Sequence, residues 1–260
     1  MKKFFSNLRK YRHYIAYSAV ASLRAEVNGS FLNWLWWILD PFLFMMVYSF
    51  VSIVVFGRTE PHFIPFVFAG YGTWQFFNRS VSASTKLIRG SKGVLSRVYL
   101  PKYILLFSRL FRHLIQYLIT LGLTVVIGII DHVQFTVLVL LVPAVIGVEL
   151  VLTFGICCIV LHCGVYARDF SNIITVVLKL TFYLSGVFYS VPKRIPQPYC
   201  DILLTLNPAA MLINEMRNVL IYGYMPNFAL LGLWLLIGIG ISAVGVRLIH
   251  RHEQNYVKVI

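Results

Sequence analysis

Six apolar runs divide this chain, each near the length of about 20 residues that a helix needs to cross a bilayer. They cover roughly residues 34–56, 63–81, 113–130, 135–165, 173–191 and 228–248. Only 12% of the residues are charged, about half the share of a soluble domain. That leaves too little polar surface to cover a globule. The runs therefore predict an all-α polytopic membrane protein with six transmembrane helices. The N-terminus, "MKKFFSNLRKYRHYIAYS", has no uninterrupted apolar core and no small-residue cleavage site, so it does not read as a signal peptide.

The net charge of +14 is explained by where the bases fall. Lys2, Lys3, Arg9, Lys10, Arg12 and Arg24 precede the first run, and eight more lie between Arg79 and Arg112, after the second. Arg168 follows the fourth run, and Arg247, Arg251 and Lys258 follow the sixth. The opposite side has Arg58, Lys193, Arg194 and Arg217, and Lys179 lies within the fifth run. Positive charge stays in the cytoplasm, so both termini are expected there. The basicity is topological and does not indicate nucleic-acid binding.

Between and before the runs, three segments have their own pattern. Phe4, Leu8, Tyr11 and Ile15 form one apolar stripe among bases, which predicts a helix lying in the inner interface; the alternative is a solvated tail. Residues 1–32 are read as that cytoplasmic element and 33–260 as a single six-span domain. Residues 82–112 are too long for a simple turn and mix Leu87, Ile88, Val94 and Leu95 with bases. A short amphipathic helix that docks a cytoplasmic partner is expected there, or else a basic segment on anionic lipid. Residues 192–226 are too polar for a span and too apolar for a free loop. Asn207 followed by Pro208 reads as a helix start and Gly223 as its stop. The helix between them puts Met211, Leu212, Met216, Val219 and Leu220 on one face and Asn214, Glu215, Arg217 and Asn218 on the other. It is expected to re-enter the outer leaflet against other protein.

The four cysteines, Cys157, Cys158, Cys163 and Cys200, have no spacing that indicates a zinc site or a disulfide frame. The chain has no phosphate-binding G-x-x-x-x-G-K-[ST] loop, and its only intramembrane ionisable candidates are Asp40, Glu149 and Lys179. No clustered acid, base or metal set is present that a membrane enzyme would need. The pattern is that of a transport subunit, with no cofactor of its own, driven by a partner. A membrane-embedded acyltransferase, which would act as an isolated chain through His162 or Asp169, and an ion-coupled carrier, which would need no nucleotide, are the competing classes.

In order along the chain, "SLRAEVNGSFLNWLWWILDP", "SRVYLPKYILLFSR", "GVYARDFSNIITVVLKLTFYLSGVFYSVP" and "LNPAAMLINEMRNVLIYG" resemble the membrane subunits of ABC exporters for cell-envelope polysaccharides of the teichoic acid, O-antigen, capsule and rhamnan types. The resemblance implies a homodimer in the cytoplasmic membrane of a bacterium, above two copies of a cytoplasmic ABC ATPase that holds ATP and Mg. Its substrate would be a lipid-linked glycan, moved outward through a channel between protomers. It also implies an N-terminal interface helix, a coupling helix in residues 82–112 and re-entrant helices before the last span. An ABC exporter of drugs or other lipids shares much of this topology. The family often has an uncharged amide where Asp40 stands.

A glycan presents hydroxyls and flat apolar faces, so its track needs rings and polar groups. Trp37, Asp40, Phe44, Tyr48, Tyr183, Phe188 and Tyr189 are the channel candidates, although aromatic residues also pack span against span and sit at interfaces. Lys86, Arg89, Lys92 and Arg97 are the candidates for ATPase contact, and Arg168 and Asp169 for a cytoplasmic gate or a structural pair. Trp34, Trp36 and Trp37 stand at the inner interface as a membrane belt, but Trp34 and Trp37 share a helical face that Trp36 does not. The Trp37–Asp40 face is expected to turn towards protein or the channel mouth, and Trp36 towards lipid.

Overall fold

The structure, a computed structural model, describes residues 2–28, 35–51, 54, 60–95, 100–167 and 169–258. The predicted interface helix is two helices, α1 (Lys2–Lys10) and α2 (Arg12–Val27), which meet at Tyr11. Next come α3 (Trp36–Phe50) and α4 (Phe63–Ser84), then two single turns, α5 (Leu87–Gly90) and α6 (Lys92–Leu95). α7 (Lys102–Ile130) leads through a 3-10 turn at Val137–Leu141 into α8 (Val142–Tyr166). After α9 (Phe170–Leu184) come the short helices α10 (Val191–Arg194), α11 (Tyr199–Leu206) and α12 (Pro208–Arg217). α12 runs on as a π-turn, Asn218–Tyr222, before the last helix, α13 (Phe228–Lys258). Among the described residues every regular element is helical.

Among the described residues, three stretches are long and apolar enough to cross a membrane by themselves: Lys102–Ile130, Val137–Tyr166 and Phe228–Tyr256. Trp36–Phe50 and Phe170–Leu184 are shorter apolar helices. α4 differs in kind. Gln75, Asn78, Arg79 and several hydroxyl residues dilute its hydropathy, yet nearly all of its first three turns are buried by α7, α8 and α12. It is the central helix, and its polar residues face protein.

Several sequence boundaries shift for physical reasons. α7 begins at Lys102, eleven residues before the predicted span, because its bases find partners rather than ending the helix. Arg112 pairs with Glu26 at 2.6 Å, and Lys102 is buried at the first turn. α9, the predicted fifth run, ends at Leu184 rather than 191, where Gly186 takes a left-handed φ of 65° and turns the chain. Asn207 caps α12 as predicted, its Oδ1 accepting from the backbone N–H of Ala209 and Ala210 at 3.1 and 3.3 Å. Gly223, at φ 63°, stops it. The expected polar face of α12 is not at the surface, since Glu215 and Arg217 are 4% and 3% exposed.

α8 and α13 form the closest helix pair. A Cβ at Gly155 would come within 2.8 Å of the Ser242 backbone nitrogen, and the Ser242 hydroxyl donates to the Val151 carbonyl at 3.0 Å. Small residues let the backbones approach where no hydrophobic effect drives helices together. Cys157, Cys158 and Cys200 are buried, Cys163 is partly so, and all four thiols are free.

Candidate functional site: a polar cavity beneath an aromatic track

Four helices close on a cavity of about 420 Å³ at the end of the molecule where α2 lies. α4 contributes a row at helical spacing, Tyr71, Gln75 and Arg79. Gln75 Nε2 donates to the Tyr71 hydroxyl, and Arg79 Nε donates to Gln75 Oε1 at 3.2 Å. α7 contributes His113, Gln116, Tyr117 and Thr120 from one face, α3 contributes Trp36, Trp37 and Asp40, and α2 ends on Glu26. Arg79 reaches across to Asp40 at 3.2 Å and makes a longer 3.5 Å contact with Gln116. Gln116 donates to Glu26 at 3.1 Å, and Glu26 pairs with Arg112. One connected polar chain thus runs from Tyr71 to Arg112 and ties the N-terminal helix to the bundle.

Trp37 and Asp40 are both in this wall, one turn apart, so Asp40 faces a guanidinium on a neighbouring helix. Pro41, buried beside it, has no N–H to donate to the Trp37 carbonyl. The indole N–H of Trp37 is buried and meets no acceptor among the described residues. Trp36 also lines the cavity while remaining 44% exposed, so its separation from Trp37 is less complete than helical spacing predicts. Trp34 lies outside the described residues.

The cavity continues into a group of rings. Tyr71, in the cavity wall, stacks on Phe44 at 4.9 Å, and Phe44 lies 6.4 Å from Phe188. Tyr48 stacks on Phe188 at 3.4 Å, and Phe182 meets it edge-on at 5.3 Å. Three channel candidates distant in sequence, Phe44, Tyr48 and Phe188, are therefore in one cluster between α3 and the turn after α9. Tyr183 points outward, 72% exposed, and its carbonyl accepts from the Tyr189 hydroxyl at 2.9 Å. Glu149 is buried on α8 with Tyr117 as its electrostatic neighbour. Lys179 is exposed on α9, whose only buried residue is Leu178.

Sequence reasoning missed the role of Arg217. Its guanidinium donates to the carbonyls of Phe66 (3.0 Å), Gly186 (2.8 Å), Val187 (2.5 Å) and Tyr189 (3.5 Å), and covers the Phe66 ring at 3.5 Å. These bonds hold the turn 186–189, and with it Phe188, against α4. A Cβ at Gly70 would overlap the guanidinium. The sequence puts Arg217 on the polar face of the helix, and its partners are backbone atoms, which have no sequence signature. Nearby, Glu60 is buried and pairs with Lys193 at 2.7 Å and Arg194 at 3.8 Å. The Glu60 hydrogen bond holds the Lys193 ammonium above the usual lysine range.

The coupling candidates divide. Lys86 and Lys92 are exposed, whereas Leu87 and Ile88 bury themselves and anchor the turn. Arg89 donates to the Val165 carbonyl at 2.9 Å, at the C-terminus of α8, where a cation also suits the helix dipole. Gly164 lies directly against the Thr85 backbone, with room for no Cβ. Arg97 and Arg168 lie outside the described residues. Asp169 is the residue before α9; its backbone carbonyl accepts from Asn172 and Ile173, and its side chain makes no capping bond.

No family model matches the chain. It is 28% identical to the O-antigen export system permease protein RfbA of Myxococcus xanthus over 227 residues, 87% of each chain. Two RfbA permeases of Klebsiella pneumoniae are 22% and 21% identical, over 92% of this chain and 91% of theirs. The resemblance carried by the motifs is borne out: the curated homologues are export permeases for a polysaccharide.

Proposed function

We propose that this chain, whose homologues are O-antigen export permeases, is the membrane subunit of an ATP-driven exporter of a lipid-linked envelope glycan. Two copies enclose a channel, and two ABC ATPases act on them from the cytoplasm. The observation that carries the reading is the similarity along some nine-tenths of the chain to permeases of O-antigen export. The architecture is compatible with it. In this reading α1 and α2 lie in the inner interface, α3, α4, α7, α8, α9 and α13 are the six spans, and α10–α12 re-enter from the outside. The ring cluster around Phe44, Tyr48 and Phe188 provides the flat apolar faces on which sugars slide. Tyr183 and Lys179, exposed on α9, look towards the second copy rather than lipid, since a lysine at mid-membrane costs about 2.5–3.5 kcal/mol.

Affinity purification of the chain from native membranes tests this. An ABC ATPase and a glycan-lipid are the expected companions. Transport by the isolated chain in liposomes without nucleotide would instead identify an ion-coupled carrier. The α5–α6 turns are the docking surface in this reading. Reversing Lys86 and Lys92 together to glutamate is expected to lower ATP turnover of the assembled complex about tenfold, roughly 1.4 kcal/mol of coupling, with membrane insertion unchanged. Arg89 is the wrong residue for this test, because its loss also releases the end of α8. Unchanged turnover in the double variant rejects the docking role.

A further inference from the structure

The cavity beneath the ring cluster has the chemistry of a receptor for one class of ligand. One wall is aromatic, from Trp36, Trp37, Tyr71 and Phe76, and the other carries Gln75, Arg79, Gln116 and two carboxylates. Rings match the C–H faces of a sugar, and planar amides and carboxylates match its paired hydroxyls. The volume lies within the range of about 300–1,000 Å³ for small-molecule sites. Trp37 brings to this wall a buried indole N–H with no acceptor among the described residues. Arg79 is held at the mouth by Asp40 through a single 3.2 Å contact, with the two side chains 39% and 59% exposed. So exposed a pair is readily exchanged, whereas a phosphate offers a guanidinium a two-pronged anionic partner.

We propose that this cavity binds a phosphate-linked sugar, with the sugar on the tryptophan wall and the phosphate on Arg79, where it displaces Asp40. Asp40 is then a resident anion that neutralises Arg79 between ligands. Its proposed position at the inner interface puts the site at the level of lipid headgroups, and the ring cluster leads outward from it by way of Tyr71. The assignment rests on the export reading above and names the part of the substrate this site takes. It also accounts for an acid at position 40, where an amide would leave Arg79 without a countercharge.

The test uses the full chain in phosphatidylcholine nanodiscs, titrated with farnesyl-diphosphate-linked N-acetylglucosamine and read by tryptophan fluorescence. Saturable quenching is expected, with sugar-free farnesyl diphosphate weaker and phosphatidylglycerol ineffective. Arg79→Gln should weaken binding about tenfold or more, while Asp40→Asn should leave it equal or tighter. This opposition in sign separates the proposal from a merely structural ion pair, whose two variants would weaken binding alike. If Arg79→Gln does not fold, Arg79→Lys supplies the comparison, expected to be severalfold weaker than the parent. Equal quenching by phosphatidylglycerol would make this a general anionic-lipid site and overturn the proposal, as would unchanged binding in the Arg79 variants. Loss of the site with export intact in cells rejects this inference alone; absence of any co-purifying ATPase rejects the export reading, whatever the probe does.

Discussion

Replacing Arg217 with methionine is expected to abolish accumulation of the protein, the largest single-residue effect in the molecule. Methionine fills much of the same volume but strands the buried Val187 carbonyl, leaves Gly186 only the 3.4 Å bond from the Tyr189 N–H, and removes the second donor of the helical Phe66 carbonyl. A stranded acceptor costs about 1–3 kcal/mol and the lost charge-assisted bonds to the other carbonyls add to it, a large share of a domain's stability of about 5–15 kcal/mol. Arg217→Lys should recover part of the loss, since an ammonium can serve some of these carbonyls but lacks the planar fork that spans them. Membrane abundance and thermal unfolding in detergent measure both. Gly70→Ala should reproduce a milder form, because its Cβ occupies the guanidinium's place. Normal abundance of Arg217→Met would mean that water satisfies these carbonyls and that the turn 186–189 is held by its own packing.

Gly164→Ala is expected to have the second largest effect, and to strike coupling more than folding. A Cβ there meets the backbone of Thr85, with its Cα at 3.0 Å. Backbone cannot rotate away as a side chain can, so α8 and the start of the proposed coupling segment must separate. Overpacking of this kind costs about 1–3 kcal/mol, which the bundle survives. The α5 turn, held by Arg89 on the same end of α8, would lose its fixed position. In the proposed export complex, ATP hydrolysis should persist with export reduced about tenfold, the equivalent of about 1.4 kcal/mol. Gly90→Ala, five residues beyond Thr85, has open space for its Cβ and is the matched control. Equal behaviour of the two variants would show that the close approach has no part in transmission.

Much of the candidate site was legible from residue type, because interfacial tryptophans, an acid in an apolar run and aromatic spans each have a physical signature. Asp40 stands out as an acid in an apolar run and Trp37 as an interfacial ring on the same helical face, and both are in the cavity wall. Phe44, Tyr48 and Phe188 were named as rings on two spans, and they do meet. What spacing could not supply was the partner. Gln75, Arg79 and Gln116 read as a charge at a span end and two unremarked amides, and they become a site only because α4 and α7 turn those faces towards α3. Boundaries erred for the same reason. The bases of residues 102–112 looked like a loop because a charge needs water or a partner, and Glu26, eighty-six residues before Arg112, is that partner.

The sequence by itself determined the class of molecule: a chain this apolar, with its bases sorted to one side of each run, has to lie in a membrane as helices. It also determined the local stops and starts, such as Asn207 and Gly223, because capping and left-handed turns depend on a few adjacent residues. Only the tertiary structure decided which polar groups are satisfied, and by whom. Arg217 closes on backbone carbonyls, Arg79 divides itself among three side chains, and Gly164 makes room for a peptide unit. Each depends on atoms far away in the chain, and in a low-dielectric interior those distant pairings govern the energy of every polar group.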